Sequence, residues 1–120
     1  MSSHQQTLAP HNFPLSPAHF LDRAASMFAD RIAIIDGDRR FTYREFADRA
    51  HRLAGLVRVL GIQPGDRVAA ICTNSHVMLE LLNGVPMAAA VLVPVNIRLS
   101  VSEMATIVEH SGARLLIATQ

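Results

Sequence analysis

Residues 91–100, VLVPVNIRLS, describe a short apolar strand that leads directly into a helix start. Ser100 and Glu103 form a capping box, which predicts that the helix begins there. Two further apolar runs, RVAAI at 67–71 and RLLIA at 114–118, are separated from this strand by segments of helical periodicity. Short apolar strands that alternate with helices are typical of parallel sheets with right-handed crossovers, so we predict an α/β fold.

The same stretch also contains a proline and two polar residues that bear on the position of the strand and on ligand binding. Pro94 has no N–H to donate, so we place this strand near a sheet edge or at a bulge. Asn96 and Arg98 lie just past the carboxyl end of the strand, where ligands bind in open parallel sheets. The guanidinium of Arg98 can bind a phosphate with two hydrogen bonds. The alternative is a solvated loop arginine, or one paired with a nearby acid.

The N-terminal part of the chain predicts an arm and a helix. Residues 1–12 are polar and contain proline, so we expect a flexible arm, with residues 13–120 forming the folded part. Ser16 followed by Pro17 is a typical helix start, and this helix is predicted to stop near Asp30. One side of it carries four apolar residues: Phe20, Ala24, Met27 and Phe28.

The next segments predict a β-hairpin and two longer helices. The runs IAII and FTY flank the sequence DGDRR, a pattern typical of a hairpin. Thr42 and Glu45 form a capping box for a helix that is predicted to reach about Leu60. A third helix begins near His76, and we expect Pro86 to kink or break it, with one more turn at residues 87–90. The predicted order is therefore a helix and a hairpin followed by parallel βαβ units.

The last strand predicts a sheet that is incomplete. The sequence ends at Gln120, directly after the apolar run 114–118. A parallel strand needs neighbouring strands and helices on both faces, and an exposed apolar edge favours aggregation. We therefore expect this chain to be a segment of a longer protein.

Composition and charge exclude several classes of protein. The 120 residues are half apolar, which indicates one globular domain. The net charge of +1, without a basic block, argues against nucleic acid and anionic membranes as partners. No signal peptide is visible, and the longest apolar run, residues 85–95, is too short for a transmembrane segment. One cysteine cannot form an internal disulfide, so we expect a reduced, cytoplasmic protein.

Other candidate groups do not form a recognisable catalytic or metal site. Cys72 has no histidine nearby in sequence except His76, so we interpret it as a small buried residue. The six histidines lack the spacing of metal ligands, and Asp36 and Glu80 form no acid–base pair that the sequence alone identifies. The chain contains no lysine and no glycine-rich phosphate loop, so no motif for nucleotide chemistry is recognisable in it.

Four segments together resemble the start of the AMP-forming acyl-CoA synthetases: DGDRRFTYREFADRAHRLAGLV, PGDRVAAICTNS, GVPMAAAVLVPVNIRLSVSE and HSGARLLIA. This adenylate-forming superfamily also includes luciferases and the adenylation domains of peptide synthetases. The resemblance covers residues 13–120, with FTYREF matching the first core motif and AAAVLVPVN the second. Two positions depart from the family pattern, because Ala89 stands where glycine is more frequent and Thr73 where many members have proline.

The resemblance implies the chemistry of a larger enzyme. Such an enzyme uses ATP and Mg²⁺ to convert a carboxylate into an acyl-adenylate, and the thiol of coenzyme A then forms the thioester. The family's phosphate loop, nucleotide-binding residues and catalytic lysine lie downstream of the matched region, so no catalytic residue and no metal ligand maps onto this chain. Some members place an arginine after the second-motif strand against the phosphates of coenzyme A, and Arg98 aligns with it.

The sequence is therefore compatible with two alternative functions of different classes. The first is the N-terminal part of an acyl-CoA synthetase for a fatty or aromatic acid, inactive as a separate chain and without tight binding of ATP, Mg²⁺ or coenzyme A. The alternative is a standalone α/β module that binds a nucleotide or a partner without catalysis. The mark of such a module is a closed core with a covered last strand.

Overall fold

The computed structural model describes residues 16–120, so the predicted arm at 1–12 lies outside the described residues. Their elements follow the predicted order: α1 (Pro17–Met27), β1 (Ile32–Asp36), β2 (Arg39–Thr42), α2 (Tyr43–Val59), β3 (Arg67–Ile71), α3 (His76–Met87), β4 (Val91–Pro94), α4 (Val101–Ser111) and β5 (Leu115–Ala118). Strands β1 and β2 form an antiparallel hairpin, while β4, β3 and β5 form a parallel sheet in that order. The predicted α/β architecture is confirmed.

The parallel sheet is wound in two directions from its central strand. The chain passes from β3 through α3 to β4, and then returns through α4 to β5 on the other side of β3. Because such crossovers are right-handed, connections that run in opposite directions place α3 and α4 on opposite faces of the sheet. Burial agrees with this, since Val68 and Ala70 pack in the main core with α3, whereas Ile71 and Leu116 border a groove beside α4.

Both predicted capping boxes are present and fix the starts of α2 and α4. Thr42 Oγ1 accepts from the backbone N–H of Glu45 at 3.2 Å, and the Glu45 carboxylate accepts from the backbone N–H of Thr42 at 2.8 Å. Ser100 and Glu103 repeat this exchange at 3.3 and 2.8 Å. Each box satisfies N–H groups that have no partner within the helix.

The apolar side predicted for α1 is wrong. The helix ends at Met27 and buries Leu21, with Ala25 packed beside it, whereas Phe20 and Met27 are 60% and 59% exposed. Leu21 and Ala25 are one helical turn apart and pack in a cluster with the small residues of α2, Ala47 and Ala50. Small residues let two helices approach closely, and that contact decides which side of α1 is buried.

Pro86 does not break helix α3, and Pro94 lies in an edge strand. Helix α3 runs through Pro86 and ends at Met87, so the predicted break is corrected. The further turn predicted after it is present, since Ala89 N–H donates to the carbonyl oxygen of Pro86 at 2.9 Å. Pro86 lies one residue from the helix end, where it removes little of the hydrogen-bond ladder. Strand β4 is an edge strand of the sheet, as Pro94 predicted. Val91 and Val95 donate their N–H groups to β3 and its flank, so alternation turns the nitrogen of Pro94 to the outer side.

Ala89 follows α3 in a backbone conformation that favours glycine. Its φ is +58°, its carbonyl accepts from Gly65 N–H at 2.8 Å, and Ala90 N–H closes the turn on Val85 at 3.2 Å. A left-handed conformation costs a residue with a β-carbon about 1–2 kcal/mol. The departure from glycine at this position therefore carries backbone strain.

We expect Ala89→Gly to stabilise the chain. Because glycine relieves the strain but loses more entropy on folding, the free energy of unfolding should rise by about 0.5–1 kcal/mol in urea denaturation. The control is Ala88→Gly, at φ −84°, which should lower stability. A loss of stability in both variants would contradict the strain at Ala89.

The sheet face beside α4 is only partly covered by the described residues. Helix α4 has no buried residue, and Val101 and Leu116 are 79% and 50% exposed. Between α4 and the sheet lies an apolar groove of about 460 Å³, lined among others by Ile71, Met104 and Val108. This exposed face agrees with the expectation of an incomplete sheet.

Candidate functional site

A cleft lies at the carboxyl ends of β3 and β4. The loop after β3 turns to α3 on one face, and the loop after β4 leads to α4 on the other, so the two loops diverge between neighbouring strands. Such a point in an open α/β sheet is where ligands bind. The cleft has a volume of about 540 Å³ and is lined by Cys72 and Asn74, Met78 and Leu82 of α3, and residues 94–98.

Arg98 lies in the second of these loops, with an exposed side chain. Its backbone N–H donates to Asn96 Oδ1 at 3.0 Å, an Asx turn that holds the loop in shape. Within residues 16–120 its guanidinium has no hydrogen bond or ion pair, so pairing with a nearby acid is not observed. The donors of Arg98 thus face solvent and are available to an anion.

Cys72 is a buried residue, as predicted. Its side chain is 5% exposed, and Sγ lies 3.9 Å from the carbonyl oxygen of Ile117. The ring of His76 bonds to Asp36, so it does not serve Cys72 as a base. Within the described part of the chain, no three His, Cys, Asp or Glu side chains cluster closely enough to hold a metal ion.

Asp36 and His76 form a pair that sequence reasoning missed. His76 Nδ1 lies 2.5 Å from Asp36 Oδ2, and the backbone N–H of His76 donates to the same oxygen at 3.1 Å. The side-chain hydrogen bond and then the backbone hydrogen bond from His76 hold the pKa of Asp36 below its usual value. Forty positions separate the two residues, and no local pattern connects a hairpin turn to the first residue of a distant helix.

Glu80 also has a partner that the sequence did not indicate. Its carboxylate accepts from Nε and Nη2 of Arg49, which joins α3 to α2. Glu80 is 8% exposed, while the Arg49 side chain is 43% exposed and lies over the ring of Phe41 at 5.1 Å. The pair therefore keeps a charged carboxylate in a place that is closed to most water.

The sequence model of the AMP-binding enzyme family matches residues 21–120. A peroxisomal acetate/butyrate–CoA ligase of Arabidopsis thaliana is 41% identical over 112 residues, covering 92% of this chain and 20% of the relative. A peroxisomal benzoate–CoA ligase from the same plant is 39% identical over 106 residues, covering 88% and 18%. No helix within residues 16–120 is long and apolar enough to cross a membrane.

A solved structure agrees with these sequence matches. The fatty acyl CoA synthetase of Mycobacterium tuberculosis superposes with a TM-score of 0.81 at 33% identity, covering 84% of this chain and 20% of that protein. The chain thus spans about a fifth of the length of the proteins it matches. It belongs to the AMP-binding enzyme family of adenylate-forming enzymes and corresponds to the N-terminal part of its acyl-CoA synthetases.

Proposed function

We propose that this chain is the N-terminal segment of an enzyme that joins a fatty or aromatic acid to coenzyme A. A carboxylate reacts with ATP to give an acyl-adenylate and pyrophosphate, and the coenzyme A thiol then displaces AMP. The family match across residues 21–120 carries this proposal. The names of the relatives support the acid class, since one is an acetate/butyrate–CoA ligase and another a benzoate–CoA ligase.

The 120-residue chain by itself is proposed to be inactive. It contains no lysine, and adenylate formation in this family depends on a phosphate loop and a catalytic lysine. We expect no pyrophosphate and no thioester when the purified chain receives ATP, Mg²⁺, coenzyme A and either butyrate or benzoate. Product formed by this chain would overturn the proposal.

A chimera tests the positive part of the proposal. In it, this chain replaces the matching segment of the Mycobacterium tuberculosis fatty acyl CoA synthetase, which has the same fold at 33% identity. We expect the chimera to retain thioester formation, because the segment supplies the scaffold while the catalytic groups come from the remainder. A folded chimera that binds ATP but forms no thioester would contradict the proposed role.

Arg98 is proposed to contact the phosphates of coenzyme A. Its free guanidinium at the mouth of the cleft supports this role. In the chimera, we expect Arg98→Ala to raise the KM for coenzyme A about tenfold, because a charge-assisted hydrogen bond is lost, while the adenylation rate is unchanged. Coenzyme A titration and pyrophosphate exchange measure the two steps, with the exposed Arg52→Ala as control. An unchanged KM would leave Arg98 a solvated loop residue.

The alternative of a standalone binding module finds less support. Its mark is a covered last strand, whereas Leu116 in β5 is half exposed and α4 buries no residue. A soluble monomer of this chain with one sharp thermal transition would favour the module. The cytoplasmic location and the lack of a nucleic-acid partner remain predictions from the sequence, and two of the relatives are named as peroxisomal.

A further inference from the structure

Helix α3 begins without a cap from its own sequence. Its N-cap residue, Ser75, makes no side-chain hydrogen bond to the first turn, unlike Thr42 and Ser100 at the starts of α2 and α4. The first N–H groups of a helix have no partner inside it and need one from elsewhere. For α3, the partner is the carboxylate of Asp36, which ends β1 and accepts from the backbone N–H of His76 at 3.1 Å.

The side chain of His76 reinforces this contact. It is almost fully buried, its Nδ1 bonds to the same Asp36 oxygen at 2.5 Å, and its ring stacks on Phe41 with centroids 5.1 Å apart. With the proton on Nδ1, the Nε2 lone pair faces Arg39 Nη1 at 3.5 Å as an acceptor. Both ring nitrogens therefore have a partner, and one carboxylate joins the hairpin to the helix start.

Charged groups surround the pair on the elements packed against it. Arg39 of β2 contacts His76 directly, and Arg49 of α2 lies over the ring of Phe41. Glu80, one turn further along α3, is engaged by Arg49. The positive groups and the helix N-terminus both favour an ionised Asp36.

The start of α3 is also part of the wall of the Arg98 cleft. Asn74, two residues before His76, lines that cleft and also a neighbouring cavity of about 290 Å³ that Asp36 and His76 border. Met78, in the first turn of α3, is likewise common to both. A shift of the first turn of α3 would therefore move two groups of the cleft wall.

We propose that Asp36 and His76 are a positioning pair for the Arg98 cleft, in which a carboxylate from the hairpin caps α3 and thereby fixes Asn74. Neither residue touches the proposed ligand. The effect of the pair on Asn74 is independent of what Arg98 binds, and only its effect on coenzyme A rests on the proposed function. When Asp36 is protonated or replaced, the first turn of α3 frays and the cleft wall loses its fixed geometry.

Amide hydrogen exchange on the ¹⁵N-labelled chain tests the capping step. In Asp36→Ala, the exchange rates of the amides of residues 76–78 should rise about tenfold, as expected for a lost cap, and the resonances of Asn74 should shift. The first turn of α4 has its own capping box and is the internal control. Unchanged exchange and unchanged Asn74 resonances would overturn the proposal.

The pH dependence of amide exchange distinguishes a cap that requires the charge of Asp36 from a contact that depends on packing alone. The folded-state pKa of Asp36 is lowered, so its stabilising effect is complete above the ordinary pKa of 3.8 and is lost as pH falls through the folded value. Protection of residues 76–78 should fall in that acidic range in the unmodified chain. Asp36→Asn, which is isosteric, should show weaker protection without this acidic step, and it serves if Asp36→Ala does not fold. An identical acidic step in Asp36→Asn would overturn the charged cap.

Titration with coenzyme A tests the positioning step. In the chimera with the Mycobacterium tuberculosis fatty acyl CoA synthetase, the dissociation constant for coenzyme A should be about tenfold higher with Asp36→Ala or Asp36→Asn than without a substitution, although Arg98 is intact in both variants. Equal constants would overturn the positioning role. If the chimera and its Arg98→Ala variant bind coenzyme A equally, the proposed role of Arg98 fails, and the exchange and Asn74 measurements still decide whether the pair fixes the cleft wall.

Discussion

Replacing Arg49 by alanine is expected to lower the free energy of unfolding by about 3 kcal/mol. The change leaves the nearly buried carboxylate of Glu80 without its two N–H donors. Removing one partner of a buried pair costs about 3–5 kcal/mol, and the partial exposure of Arg49 places this case at the lower end. The contact with Phe41 is lost as well. Urea denaturation of the 120-residue chain measures the difference.

Arg52→Ala provides the matched control. Arg52 lies one turn further along α2, is exposed, and should change stability by less than about 0.5 kcal/mol. A double variant, Arg49→Met with Glu80→Leu, should recover most of the loss because no charge is left buried. The interpretation fails if Arg49→Ala and Arg52→Ala have equal effects.

Gly84→Ala is expected to destabilise the chain by about 2–3 kcal/mol through crowding of a well-packed helix contact. A β-carbon on Gly84 would lie 2.7 Å from the backbone oxygen of Ala50 and 2.9 Å from a methyl group of Leu53. The backbone oxygen cannot rotate away, so α2 and α3 must move apart. Their contact is the most extensive one between helices in the described residues, and it holds the core above the sheet.

Gly55→Ala is the corresponding control in α2. A β-carbon there meets no atom within 4 Å, so the better helix propensity of alanine should raise stability by up to about 1 kcal/mol. Thermal unfolding of both variants should therefore give shifts of opposite sign. A small or positive effect of Gly84→Ala would show that the two helices can separate at little cost.

Local sequence patterns predicted the elements and their order. The capping boxes at Thr42 and Ser100, the hairpin and the apolar strands each depend on neighbouring residues, and all are present. The cleft followed from a rule about the carboxyl ends of parallel strands. Pro94 likewise indicated a sheet edge or a bulge, and β4 lies at the edge of the sheet.

Contacts between distant residues were not predictable in this way. The buried side of α1 depends on the small residues of α2, and the bond between Asp36 and His76 depends on how the hairpin folds over α3. No periodicity distinguishes Leu21 from Phe20, because both are apolar and adjacent. These features depend on tertiary packing, which overrides local preference.

The outward nitrogen of Pro94 gives the parallel sheet a preferred direction of growth. A strand that joined the outer side of β4 would find a donor at Leu92 but none at Pro94, because alternate residues point there. The outer side of β5 offers N–H groups at both Leu116 and Ala118. Pro94 thus makes the β4 edge unfavourable for the addition of a strand. The β5 edge, in contrast, offers an N–H donor at each outward-facing position and can pair with a further strand.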